Sequence, residues 1–193
     1  MDEEVSPVPD PIPDPVPDPV LPFNKIRLLP EITIAGELKA ESMSRVGQWA
    51  RSLKYTGDNS VSSAGGALIV LSGVHGGYPD ACLGVHDIIR CMAKVVPIYL
   101  LVEGMLYGAA PVILTAVPIE YRFAYLNTTF SLQLAEKDAG LRVTRLQRGP
   151  TSRRIIRLYE LGTKLTPDTY DLYEGRELDA DFAQAIGLIG TIL

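Results

Sequence analysis

Cysteine is scarce in this 193-residue chain, and Lys and Arg are missing altogether from its first 22 residues. Two cysteines cannot form a disulfide framework or a Cys-rich metal site. Cys82 and Cys91 sit nine apart in a segment of helical pattern, which would set their Cα atoms about 13 Å apart, too far for a bridge. Free thiols and a reducing compartment are therefore expected. A long hydrophobic run is also lacking: the longest uncharged apolar stretch, Gly104 to Ile119, falls short of the roughly 20 residues a membrane helix requires and contains Pro111 and Pro118. It reads as buried core. MDEEVSP has neither a basic start nor an apolar centre, so no signal or transit segment is expected in it.

What the first 22 residues do contain is eight prolines and six acids. The chain carries 18 Lys+Arg against 23 Asp+Glu, so the net charge of −5 resides in this acidic arm and the body is nearly neutral. Residues 7–20 repeat PVPD, PIPD, PVPD, PV with a proline at every second position, which removes amide donors and denies both helix and hairpin. An extended polyproline-type spacer is the expectation for residues 1–22, with 23–193 as the folded domain.

After Phe23 the pattern becomes globular. Glu31–Ala35 before Gly36 reads as a strand, and Met43, Val46, Trp49, Ala50 and Leu53 place one apolar stripe on a helix spanning Leu38 to Lys54. Residues 55–66 read as a loop, and Ala67–Leu71 as a strand buried on both faces. Ser72–Gly77 has the composition of a turn, and Pro79 opens a helix with Ala81, Val85, Ile88 and Met92 on one side. Pro97–Val102 reads as another strand leading to a helical segment over 107–116, with further strands at Tyr121–Tyr125 and Thr129–Leu134. The alternation of strand, turn and helix predicts an α/β domain with parallel pairing.

The paired glycines Gly76-Gly77 before a helix, the Gly-Met-Leu-Tyr-Gly-Ala-Ala segment 104–110 and the closing Ala-Ile-Gly-Leu-Ile189 resemble the proteolytic subunit of the Clp protease, ClpP. The resemblance covers about residues 28–193 and implies the spiral of repeated ββα units of the Clp/crotonase superfamily, with a handle over about 134–171. It also implies where a catalytic triad should lie. Leu106 falls at the serine nucleophile, Gln133 at the histidine base, and Gly175 at the aspartate, with Asp171, Glu174 and Glu177 close in sequence. Leucine offers no nucleophilic atom, glutamine shuttles no proton near neutrality, and glycine cannot orient an imidazole. The resemblance therefore points to a noncatalytic, ClpR-like subunit. Gly76, Gly77 and Tyr107 would mark the oxyanion region.

Displaced chemistry is the alternative. A Ser131–His75 dyad would make a peptidase, and backbone amides at Gly76-Gly77 would suit a crotonase-like acyl-CoA enzyme. Cys82 and His86, four apart on one helix, are too few for a metal site; they read as a buried thiol beside a helix-surface histidine, and no metal or cofactor is expected. Arg142, Arg145, Arg148, Arg153, Arg154 and Arg157 form an acid-free cluster, a candidate protein interface; without interleaved aromatics it does not suggest nucleic acid. By resemblance the partners would be copies of the chain or an active paralogue in a ring, together with an AAA+ unfoldase. No membrane partner is expected, and the cytoplasm is the expected location, with the plastid stroma as the alternative.

Overall fold

A computed structural model of the chain describes residues 21–55, 65–134 and 148–193. The acidic arm up to residue 20, most of the expected loop 55–66 and the first part of the expected handle, residues 135–147 with Arg142 and Arg145, lie outside the described residues. The Pro22 carbonyl accepts from the amides of Lys25 and Ile26, which starts the short helix α1 (Phe23–Ile26) and buries Ile26.

The centre of the domain is a parallel sheet. β1 (Glu31–Glu37) pairs with β2 (Ala67–His75), and β2 pairs with β3 (Ile98–Gly108). β2 lies between two neighbours, and its first five residues are all buried, as the unbroken apolar run predicts. β3 then serves two partners. Its Leu100–Val102 pair with β4 (Arg122–Ala124), and its Met105–Gly108 pair with β5 (Thr129–Leu132). The fork falls at Gly104, whose φ of 76° is a left-handed conformation that a side chain would strain. β5 takes the antiparallel β6 (Glu177–Leu178), while β4 leads on to β7 (Thr191–Ile192).

Helices cover this sheet. α2 (Ala40–Tyr55) packs on α3 (Pro79–Ala93), and α3 packs on a 3-10 segment, Ala110–Ala116. Pro79 stands at the start of α3 as the sequence indicates, where its missing N–H costs nothing. The C-terminal part adds α4 (Pro150–Gly162), α5 (Pro167–Tyr173) and α6 (Ala180–Ala185). A reciprocal Thr166/Thr169 cap begins α5, and the Asp179 carboxylate accepts the Phe182 amide at the start of α6.

Two sequence expectations are corrected. Ser72–His75 is not a turn: β2 continues through it, with a bulge between Ser72 and Val74, and turns only at Gly76. Likewise β3 does not stop at Val102 but runs to Gly108, so the expected helix over 107–116 shrinks to the 3-10 segment from Ala110. Pairing on both sides overrides the turn-like composition of these stretches.

α3 buries His86 completely, which corrects the expectation of a surface histidine. Its Nδ1 lies 3.0 Å from Asp87 Oδ1, and its Nε2 has no partner among the described residues. Burial pulls the His86 pKa below 6.5, with Asp87 only partly opposing it. The unfolded chain therefore takes up this proton first. Stability should fall as pH drops below about 6.5, until the lower folded pKa is passed. Melting temperatures between pH 7 and 5 should show this slope, and His86→Gln should flatten it.

Candidate functional site

The segments bearing the expected triad positions meet where β3 and β5 end. Gly108 is the last residue of β3, and its carbonyl accepts the Gln133 amide at 3.0 Å. Gly175 follows α5 by two residues, and its amide donates to the Leu132 carbonyl at 2.7 Å. Both glycines have left-handed backbones, with φ of 74° and 75°. Gln133 and Gly175 are thus brought together on the backbone of one strand. Leu106 is not with them.

Leu106 lies two residues back from the end of β3, paired with Phe130, and both side chains are completely buried. It is a core residue, and no reacting group placed there would reach the surface. The residue at the strand end is Gly108, which the motif alignment passes over. The available signal was the run of small residues Gly108-Ala109-Ala110, needed because the chain passes so close to Gly76. A Cβ on Gly108 would lie 2.9 Å from the Gly76 carbonyl oxygen, and one on Gly76 would lie 2.6 Å from the amide nitrogens of Ala109 and Ala110. The two backbones fill the space in which a side chain would stand.

The oxyanion candidates divide. The Gly76 amide donates to the Tyr107 carbonyl at 2.7 Å, so it is spent within the fold. Tyr107 lies in β3 and turns its carbonyl towards Gly76; its hydroxyl donates to Glu177 Oε1 and lies within 3.0 Å of Thr129 Oγ1. Gly77 has no room for a side chain either, since a Cβ would meet the Leu38 carbonyl oxygen at 2.6 Å.

His75 and Ser131 do not form a dyad. His75 is in register with Tyr107, and Tyr107 with Ser131, so the two lie two strands apart with Tyr107 between them. At ordinary strand spacing that separation is about 10 Å, beyond hydrogen-bond reach. Cys82 and Cys91 are both free; burial pushes the Cys82 thiol up to about 12, whereas Cys91 is exposed. Among the described residues no three His, Cys, Asp or Glu side chains gather as a metal site.

Three of the four described arginines of the cluster have acids beside them. Arg148, expected at an interface, is buried, and its Nη2 pairs with Asp171 at 2.7 Å and Glu174 at 2.8 Å. Its guanidinium also stands 5.4 Å from the Tyr170 ring centroid. Arg154 reaches Asp87 of α3 at 2.7 Å, and Arg157 pairs with Glu160 on its own helix. Arg153, Arg154 and Arg157 are all exposed, and of these Arg153 has no ion pair among the described residues. Tertiary folding supplies acids from α3 and α5 that the local sequence lacks. Because Arg148 holds two carboxylates that are still partly solvated, Arg148→Ala should cost about 2–3 kcal/mol, read as a lower urea midpoint.

No protein-family model matches the sequence, and no curated protein sequence matches it. Solved structures do. ClpP1 from Listeria monocytogenes superposes with a TM-score of 0.65 at 21% identity, covering 84% of this chain and 90% of that one. The ClpP protease catalytic domain from Plasmodium falciparum gives a TM-score of 0.69 at 15% identity, covering 89% and 88%. A further Plasmodium falciparum peptidase gives 0.61 at 16% identity, covering 84% and 94%. With its forked parallel sheet and covering helices, the chain has the ClpP fold.

Proposed function

We propose that this chain is a catalytically inactive Clp-type subunit with a structural or regulatory role in a ring-shaped protease core. The observation that carries this reading is the meeting of Gly108, Gln133 and Gly175 at the ends of β3 and β5, on a ClpP fold. In this reading Gly108, rather than Leu106, occupies the nucleophile position. Acyl transfer needs a deprotonatable nucleophile, a base and a group to orient the base. A glycine, a neutral amide and a second glycine supply none of them. The close passage of Gly76 over Gly108 argues the same way, since it excludes the side chain that a nucleophile requires.

The partners proposed with this role are further copies of the chain or an active paralogue in the ring, and an AAA+ unfoldase acting on the assembly. The compartment proposed is the cytoplasm, with the plastid stroma as the alternative. Native mass spectrometry tests the role: the chain alone and mixed with a catalytic Clp subunit should give homomeric or mixed rings. A chain that stays monomeric in both samples overturns it.

A further inference from the structure

Between α2 and α3 runs a groove of about 620 Å³. Met43, Gly47, Ile88 and Met92 give it an apolar floor, and Arg51 and Cys91 line its open side. The groove exists because two glycines let the helices approach: a Cβ on Gly84 would collide with the Met43 side chain, and one on Gly47 would touch Ile88. Arg51, in the groove lining, and Lys94, one helical turn beyond Cys91, are exposed and have no ion pair among the described residues. Asp87, the acid in the groove lining, is already neutralised by Arg154.

We propose that the acidic arm of the same chain, within residues 1–20, docks in this groove. Val8, Ile12, Val16 and Val20 recur every four residues, with Asp10, Asp14 and Asp18 midway between them. An extended segment of that pattern offers apolar contacts to the floor and carboxylates to the rim. Alternating prolines reduce the conformational entropy such a strand loses on docking. Arg51 and Lys94 give the periodic acids of such a segment cationic partners, and the segment carries no base of its own.

Reach is sufficient. The amide of Leu21 donates to the Tyr99 hydroxyl at 3.3 Å, which pins the base of the arm at the start of β3. Ala93, the last residue of α3, precedes that strand by only a short connection, so the end of the groove carrying Cys91 lies at the same end of the sheet. Thirteen extended residues, Val8 to Val20, span about 40 Å. Of the arginines of α4, Arg154 and Arg157 already have acids beside them, which leaves Arg153 as the helix's unpaired arginine among the described residues.

Cys91 reports on the groove, and buried Cys82 serves as the unreactive control. The measurement is the rate of N-ethylmaleimide labelling of Cys91 in the full chain, followed by peptide mass. A tether with a millimolar effective concentration acting on a site with Kd on the order of 0.1 mM protects about tenfold. Asp10→Asn, Asp14→Asn and Asp18→Asn together, which change nothing in the groove, should lift the protection, as should high salt acting on the unaltered chain. The protection should not depend on protein concentration. Equal rates in the two chains overturn the proposal. So does protection that rises with protein concentration and survives the three substitutions, because a second copy would then fill the groove.

Discussion

Replacing Gly108 by Ser, Gln133 by His and Gly175 by Asp should not create a peptidase, and should destabilise the chain by about 3–5 kcal/mol. The triple variant restores the residue types of a triad, so its expected failure has to come from backbone geometry. Gly108 and Gly175 both hold left-handed φ angles, each costing a side chain about 1–2 kcal/mol, somewhat less for Asp than for Ser. The Cβ introduced by Gly108→Ser would additionally press on the Gly76 carbonyl oxygen at 2.9 Å, and the Gly76 amide cannot retreat without breaking its bond to Tyr107. Moving that backbone would disturb the β2–β3 pairing, where His75 and Tyr107 lie in register. Urea denaturation should show the loss, with most of it present in Gly108→Ser alone and little in Gln133→His. A fluorogenic peptide assay on the same samples should stay at background.

Arg122→Ala should be more damaging than any other single substitution proposed for this chain, at about 4–5 kcal/mol. Arg122 is 2% exposed and fans across the junction between the sheet and the C-terminal helices. Its Nε and Nη2 donate to the Val117 carbonyl at 2.9 and 2.7 Å, and its Nη1 to the Gly162 carbonyl at 2.8 Å. The same Nη1 lies 3.2 and 3.4 Å from the carbonyls of Gly187 and Leu188. Burial pulls its pKa down to about 10, which still leaves it charged at neutral pH. Truncation would orphan carbonyls from three separate segments and leave a cavity beneath them. The melting temperature should fall by about 10–15 °C. Arg122→Lys should recover little, because a single ammonium cannot span carbonyls that a planar guanidinium reaches on two edges.

The parts of the fold legible in the sequence are those written in periodicity. The stripe on α2, the proline at the start of α3 and the unbroken apolar run of β2 each follow from local pattern and appear where expected. The parts that were not legible depend on partners distant in the chain. Ser72–His75 has turn composition but is held as strand by β1 and β3 on its two sides. Leu106 aligns with a reactive position by motif, yet the uncharged stretch from Gly104 to Ile119 conceals the boundary between strand and 3-10 segment; the strand lasts two residues longer than the motif implies. Arg148 and Arg154 read as a basic face because Asp171, Glu174 and Asp87 lie elsewhere in the sequence. Arg122 carried no signal, since its acceptors are all backbone carbonyls.

The proposed role stands or falls on the absence of catalysis, which covalent labelling reads without reference to any chosen substrate. The purified chain would be exposed to a fluorophosphonate probe at neutral pH and its intact mass recorded. No adduct should form, because no serine in the described cleft is paired with a base and the position at the end of β3 is Gly108. A stoichiometric adduct mapping to a single serine would contradict the inactive-subunit reading.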